Sequence, residues 1–239
     1  MSFHPPVGAV YRYEIRVRAE STTTLENSSP QRKDEEVRLV SEHTVLASGK
    51  EGVRVRVLVG QPGELAQAFV VRFDRAAQLR SVESTEGASS DVVGALGVPE
   101  IAPGATGAPP GQRLAPGDTW DVTRRVVVPG ADGPTRLRTH GRLRELGVEG
   151  KEKVARLRST TDLPIDASTT SDLGSLRLEG SQRITQRATY DLDDGAVRRA
   201  NATTTGRFRI FLLPPSDVSA EPIPGTLVVR VTSTTRRLD

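Results

Sequence analysis

Polar and apolar residues alternate with a period of two, and this pattern most constrains how the chain can fold. In the stretch "AVYRYEIRVRAES", Tyr11, Tyr13 and Ile15 share one parity, while arginines and glutamates share the other. Successive side chains of a strand point to opposite faces, so each such run has one apolar and one solvated face. The run "GVRVRVLVG" repeats the pattern and directs Arg54 and Arg56 outward. These runs predict antiparallel strands, because a helical period would mix the two classes.

The same runs predict an all-β fold. Aromatic residues make up only 4% of the chain, so the core depends on valine, leucine, isoleucine and alanine. Valine and threonine are β-branched and favour strands. Several alternating runs are longer than a typical strand, which favours a coiled sheet over a compact sandwich. We therefore expect about ten antiparallel strands in one long curved sheet or open half-barrel, with one short helix.

The strand signals fall into two groups within what we interpret as a single β domain. The sequence predicts this division: domain 1–239, first meander 7–83, Gly/Pro-rich crossover 84–117 and second meander 118–237. The crossover cannot carry a sheet ladder, because proline lacks the backbone donor. Within it, Asp91–Leu96 is expected to form the short helix, which Gly97 would end. The polar segment 21–36 is expected to be an exposed loop or a frayed strand connection.

Three pairs of short segments suggest that one half of the chain repeats the other. In each pair the first segment lies in the first meander, and the order is the same in both halves: 8–13 with 117–122, 49–57 with 150–158, and 73–81 with 190–199. The pattern favours an internal duplication of two meander halves. Chance similarity between strands rich in arginine and valine is the alternative.

The densest acidic cluster lies in "TYDLDDGAVRRA", which has features of both a calcium loop and a tight turn. A calcium loop of the EF type needs acidic ligands at alternate positions, glycine at the sixth and glutamate at the twelfth. Counted from Asp191, Asp193 fits the third position, but Gly195 is already the fifth and the twelfth is no glutamate. Aspartates followed by glycine between alternating runs are typical of a hairpin. The sequence predicts a hairpin here and no metal site.

Composition excludes several kinds of site and partner. The chain has no cysteine, which excludes disulfides and thiolate chemistry. Its 33 lysines and arginines are nearly balanced by 30 aspartates and glutamates, so the net charge is only +3. A scattered excess this small predicts no nucleic-acid partner. No run approaches the roughly 18 apolar residues of a spanning helix, so no transmembrane segment is expected. The oligomeric state is left open.

The beginning of the sequence leaves two locations open. The stretch "MSFHPPVGAV" has neither the basic region nor the apolar region of a signal peptide. We expect a bacterial cell envelope or periplasmic protein if a leader is removed, and a cytoplasmic protein otherwise.

Catalytic motifs are missing from the sequence. There is no G-x-S-x-G elbow and no S-x-x-K. His4 lies in an expected tail, His140 lies on the arginine-bearing face of its strand, and His43 is expected to be partly buried and hydrogen-bonded. No two histidines have the spacing of a zinc site. We expect no catalytic residue, no metal and no cofactor.

Aromatic residues are the remaining candidates for a site. Tyr11, Tyr13, Trp120 and Phe208 all lie within alternating runs. They would fill the core in one interpretation, because large rings dominate burial. In the other, they line a concave apolar surface that binds an apolar small molecule or a lipid.

Two motifs give the chain a resemblance to a known group. It resembles uncharacterised bacterial proteins, mostly exported or lipid-anchored, in which Pro-Gly-Asp-x-Trp opens a strand and Tyr-Asp-x-x-x-Gly follows later. The matching residues are Gly117, Asp118, Trp120, Tyr190, Asp191 and Gly195. Such proteins are similar to the curved β half-barrels of lipoprotein carriers. The resemblance implies a half-barrel and a cell-envelope location, and it supplies no catalytic residue.

Three functions follow as hypotheses. The first is a non-catalytic binding or carrier protein that holds an apolar ligand or lipid on the concave face. The second is a structural module with a filled core and an arginine-rich surface for a protein partner. The third is an enzyme whose site is assembled from distant residues, which would show as a pocket with shifted pKa values. We take the first as the main prediction.

Overall fold

The computed structural model describes residues 2–63, 66–77, 79–86, 108, 112–126, 135–171, 174–213 and 221–238. Within these residues the protein is all-β, as the alternation predicts. Eleven antiparallel strands form one sheet that is not closed. The strands are β1 (Val10–Leu25), β2 (Gln31–Gly49), β3 (Gly52–Gly60), β4 (Gln67–Phe73), β5 (Leu79–Glu86), β6 (Thr119–Val126), β7 (Thr135–Glu149), β8 (Glu152–Ser171), β9 (Gly174–Asp191), β10 (Val197–Leu213) and β11 (Ile223–Leu238).

The strand order shows how the chain builds this sheet. The order is β5-β4-β3-β2-β1-β11-β10-β9-β8-β7-β6. From β1 in the middle, the chain runs outward to the edge strand β5, and it resumes at the opposite edge with β6. It then returns strand by strand to β11, which pairs with β1 from Arg12↔Leu238 to Leu25↔Gly225. The first and last strands therefore join the two groups at the centre of the sheet.

Residues 2–6, the N-terminal segment, show that the sheet curls. The amide of Phe3 donates to the carbonyl of Arg75, after β4, and the amide of His4 donates to the carbonyl of Asp194, between β9 and β10, both at 2.8 Å. Adjacent residues can reach both carbonyls only if these lie within about 10 Å. In a flat sheet, β4 and β10 would be about 24 Å apart. The core-facing side of the sheet is therefore concave.

The concave face has a filled part and a less covered part. The filled part, called the base, lies where the β2–β3, β7–β8 and β9–β10 hairpins turn. Its buried side chains form one hydrophobic cluster that includes Ile15, Val45, Val55, Phe69, Phe73, Leu143, Leu157, Ala188 and Ala200. Phe3 closes the base from the N-terminal segment, with its ring edge-on to Phe73 at 5.9 Å.

The entry to β1 and the entry to β6 have the same local structure. The amide of Gly8 donates to the carbonyl of Val45, and the amide of Val45 donates to the carbonyl of Ala9, both at 2.9 Å. In the second half, the amide of Gly117 donates to the carbonyl of Leu143 at 2.8 Å, and the amide of Leu143 donates to the carbonyl of Asp118 at 3.0 Å. Gly8 and Gly117 both have positive φ, and β2 and β7 each have a bulge directly after the paired residue.

The turn after β4 and the turn after β9 also match. Both begin with a buried aspartate, Asp74 or Asp191, whose side chain accepts from the amide two residues on, at 2.8 and 3.0 Å. Its carbonyl then accepts from a residue of positive φ, Ala77 or Gly195. The matched positive-φ glycines that precede β1 and β6 lie in the first of the segment pairs that the sequence singled out, and the matched aspartates lie in the third.

The structure corrects one expectation and leaves two outside its described residues. Segment 21–36, expected to be an exposed loop or a frayed strand connection, is mostly paired strand, because β1 continues to Leu25 and β2 begins at Gln31, and only residues 26–30 connect them. Its polar residues find backbone partners across the ladder, from Ser21↔Lys33 to Thr23↔Gln31, and β11 pairs with the other edge of β1. The helix expected over Asp91–Leu96 and most of the crossover 84–117 lie outside the described residues.

Candidate functional site

Beyond the base, the concave face of the four strands β8–β11 carries mainly apolar side chains, with Gln182 and Thr204 among them. The strand registers place them on one face, in rows that cross the sheet. We call the set of apolar side chains the distal apolar surface; it consists of Leu163, Ile165, Leu176, Leu178, Ile184, Phe208, Ile210, Leu212, Leu227, Val229 and Val231.

The distal apolar surface differs from the base in its exposure. Leu176, Leu178, Leu212, Leu227 and Val229 are all partly exposed, whereas core valines in the base are almost completely buried. The backbone beneath the surface is already paired on both sides in the ladder. An occupant therefore meets hydrocarbon and needs to supply few hydrogen bonds.

Phe208 lies in the middle of this surface because two glycines make room for its ring. A Cβ at Gly206 would lie 2.6 Å from the Phe208 Cε2, and a Cβ at Gly180 would lie 2.9 Å from its Cδ1. The ring therefore lies flat against the backbone of β9 and β10 and is only 7% exposed. Glycines covered by an aromatic ring in this way pin the register of neighbouring strands.

The structure places the four predicted ligand-binding aromatics in different surroundings. Phe208 lies in the distal apolar surface. Tyr13 and Trp120 are 3% and 5% exposed and belong to the hydrophobic cluster of the base. The Trp120 indole covers Gly141 of β7, where any Cβ would collide with it. Tyr11 packs against the same cluster and is partly buried.

Tyr11 is held by the turn between β9 and β10. Its hydroxyl donates to Asp194 Oδ2 at 2.6 Å, and the Arg237 guanidinium lies 5.9 Å from its ring centre. Burial, followed by the hydrogen bond to Asp194, raises the pKa of Tyr11 far above its ordinary value. This tyrosine therefore stays protonated at physiological pH and fastens the start of β1 to the β9–β10 turn.

A small group of buried polar side chains lies beside Tyr11. The His43 ring lies 4.9 Å from the Tyr13 ring, and its Nε2 lies 3.3 Å from Ser41 Oγ. Burial lowers the pKa of His43 to about 4, so the imidazole is neutral at pH 7. The Tyr190 hydroxyl is buried without a hydrogen-bond partner among the described residues, and burial raises its pKa. Ser41, His43 and Tyr190 are all buried.

The acidic cluster forms the predicted hairpin turn. β9 and β10 pair on either side of it, and Gly195 has a φ of +75°. Asp194 Oδ1 accepts from the amide of Ala196 at 2.7 Å, so this carboxylate is committed to the turn and to Tyr11. Across the described residues, no group of three or more histidines, aspartates and glutamates is placed to hold a metal ion.

The outer face carries arginines and carboxylates, as the alternation predicts. Arg54 is exposed and donates to Glu83, and the hydrogen bond from Arg54 lowers the pKa of that carboxyl. His140 also lies on this face, where its Nδ1 is 3.0 Å from Asp121 Oδ1.

Sequence reasoning missed two parts of this arrangement. The N-terminal segment was expected to be a tail, but it packs so closely on Gly195 that a Cβ there would lie 2.9 Å from the Phe3 Cα. The aliphatic members of the distal apolar surface were missed as site residues. The alternating runs "SLRLEGSQRITQ" and "GTLVVRVTS" signal an apolar face, although not that it is left partly exposed.

Comparison with protein-family models and with curated proteins found no match to this chain. Among the residues that the structure describes, no helix has the length and apolar character needed to cross a membrane.

Proposed function

We propose that the protein is a non-catalytic carrier that holds an elongated apolar ligand, such as the acyl chain of a lipid, on the concave face of its open sheet. The observation that carries the proposal is the distal apolar surface, which is apolar along four strands and partly exposed. Resemblance to lipoprotein-carrier half-barrels in the motifs around Trp120 and Tyr190 supports the same class. A cell-envelope location would suit such a carrier.

The shape of the surface favours a chain-like ligand. Its rows run from β8 to β11, so the surface spans three interstrand spacings, about 14 Å. Each methylene that leaves water contributes about 0.8 kcal/mol, so an acyl chain gains affinity without any specific polar contact. Phe208 offers a flat ring in the centre of that path, held in place by Gly180 and Gly206. The predicted residues Tyr11, Tyr13 and Trp120 would act indirectly, by keeping the base closed.

The test is binding of a fluorescent fatty acid, 11-(dansylamino)undecanoic acid, followed by its emission. We expect saturable binding to the wild-type protein. Leu227→Glu places a carboxylate within the distal apolar surface and should weaken binding by about tenfold or more, because the buried charge would have to be desolvated.

The matched control is Val228→Glu, one residue further along the same strand. Val228 points to the outer face and is 41% exposed, so this change adds the same charge outside the proposed site. We expect its affinity to equal that of the wild type. The absence of saturable binding, or an equal loss in both variants, would contradict the proposal.

A further inference from the structure

Three arginines lie directly opposite one another on the outer face. The registers pair Arg142 of β7 with Arg158 of β8, and Arg158 with Arg187 of β9. We call these three residues the arginine row. Neighbouring strands are about 4.8 Å apart, so the row places three positive charges within about 10 Å. All three side chains are exposed. Like charges directly opposite one another destabilise a sheet, so this placement needs a reason.

Carboxylates compensate the arginines next to the row on its base side. Arg156 contacts Glu145 at 2.8 Å and Glu149 at 2.7 Å, and Arg199 contacts Glu149 at 2.6 Å. Two arginines and two glutamates thus form a neutral network. Both glutamates already form ion pairs within this network, so neither offsets the positive charge of the arginine row.

The sheet rows on the distal side are also balanced. The next row contains Asp121, His140, Thr160 and Thr185, and its one carboxylate lies 3.0 Å from the histidine. In the row beyond it, Asp162 stands between Arg138 and Arg183 and contacts Arg183 at 2.6 Å. A carboxylate therefore separates the cations there, whereas the arginine row has none.

The residues that the structure describes give the arginine row no side-chain partner, and two of its arginines border a groove. Within the described ranges, the side chains of the three row arginines and of the adjacent Arg144 form no ion pair and no hydrogen bond. A shallow groove of about 320 Å³ lies over this part of the outer face, and its lining includes Arg144, Arg158, Arg187 and Asn201. Glu145, Arg156 and Arg199 of the neutral network line it as well, whereas Arg142 does not. Asn201 extends the row by one strand, opposite Arg187, and supplies a neutral donor.

We propose that the arginine row, with Arg144 and Asn201, binds a ligand that carries two or more clustered phosphate groups. Guanidinium groups donate in a planar fork that matches phosphate oxygens, and they remain charged at any physiological pH. A single phosphate can satisfy one or two of them, whereas clustered phosphates offset the repulsion along the whole row. The phosphates can belong to a soluble polyphosphate or to the headgroups of an anionic lipid surface. This site lies on the face opposite the distal apolar surface and does not depend on it.

The experiment has one arm for each source of phosphate. Calorimetric titration with tripolyphosphate tests the soluble source, with orthophosphate as the comparison. Flotation with phosphatidylcholine vesicles that contain phosphatidylglycerol tests the lipid source, with pure phosphatidylcholine vesicles as the comparison. We expect binding in at least one arm, about tenfold or more stronger than in its comparison.

Two triple variants separate the row from general electrostatics. The first changes Arg142, Arg158 and Arg187 to glutamine and should weaken binding by about tenfold or more. The second changes three exposed arginines of β10 and β11, Arg207, Arg230 and Arg236, to glutamine. Both remove three positive charges from a protein of net charge +3, so non-specific attraction falls equally in both. We expect the second variant to bind within about twofold of the wild type.

Each outcome has a definite meaning. Row-dependent binding of tripolyphosphate alone assigns a soluble ligand, and row-dependent binding of vesicles alone assigns a lipid surface. No binding in either arm overturns the proposal, as does an equal loss in the two triple variants. Unfolding curves check that the variants are folded; because the row arginines are exposed and repel one another, the row variant should be at least as stable as the wild type.

Discussion

Lowering the pH from about 8 to about 5 should destabilise the protein through His43. The imidazole is buried, and burial lowers its pKa from 6.5 to about 4. Below pH 6.5 the unfolded chain therefore binds a proton that the folded protein does not. The stability that the neutral imidazole provides is complete above pH 6.5 and is lost as the pH falls towards 4.

The size of the effect follows from the two pKa values. A tenfold difference in proton affinity is worth about 1.4 kcal/mol, so the free energy of unfolding should fall by about 2 kcal/mol between about pH 8 and pH 5. Arginine partners lower the pKa values of Glu14, Glu83 and Glu149 from 4.5. The stability that these carboxylates provide is present above pH 4.5 and is lost only below it, outside this window.

Urea unfolding at a series of pH values measures this loss. Trp120 is the only tryptophan and is buried in the base, so its fluorescence reports the transition. His43→Gln should remove most of the slope between about pH 8 and pH 5, whatever its stability at pH 8. The reasoning fails if His43→Gln and the wild type lose stability equally over this range.

Three further predictions concern the base and the outer face. Gly195→Ala and Gly63→Ala both place alanine at positive φ, but only Gly195 packs against the N-terminal segment. In urea unfolding, Gly195→Ala should therefore lower the free energy of unfolding by at least about 1 kcal/mol more than Gly63→Ala does. Equal losses in the two variants would refute this packing. Gly141→Ala should lower the free energy of unfolding by about 1–3 kcal/mol and shift the Trp120 emission to longer wavelength, because the new methyl collides with the indole. An unchanged spectrum would count against that contact. Arg158→Gln should raise the free energy of unfolding by about 0.5 kcal/mol at low ionic strength, because it relieves repulsion within the arginine row. This gain should vanish in high salt. A loss of stability would mean that Arg158 has a stabilising role.

The strands could be predicted from the sequence because the alternation is local. In β1 and β3, each apolar residue of one parity lies on the concave face, as the period of two requires. The prediction was wrong for most of the polar segment 21–36, whose composition suggested a loop. Antiparallel pairing on both sides of β1 outweighs that composition, because the ladder satisfies the backbone whichever side chains it carries.

The order of the strands could not be predicted in the same way. The pairing of β1 with β11 joins residues near opposite ends of the sequence, and no local pattern encodes it. The same limit applies to the N-terminal segment, whose partners at Arg75 and Asp194 are distant in sequence. Such contacts depend on how the whole sheet curls.

The candidate site was only partly predictable for a related reason. Parity correctly turns Tyr13, Trp120 and Phe208 towards the concave face, but it does not say whether that face is filled at a given row. The position of a residue along its strand determines whether its side chain is in the filled part: Tyr13 lies in the base, whereas Phe208 lies beyond it. Of the two glycines that accommodate the Phe208 ring, Gly206 lies in the same strand and Gly180 in the neighbouring one. Only the register of the two strands shows that both lie under the ring.

The seam between β1 and β11 has a consequence for biosynthesis. A ribosome releases β1 about 200 residues before the strand that must lie beside it, so one edge of β1 has to wait for nearly the whole chain. The group β1–β5 can pair internally in the meantime, while the exposed edge of β1 is open to wrong partners. Completion of the sheet is therefore a late, long-range event, and we expect slow folding and a need for chaperone protection of the nascent chain.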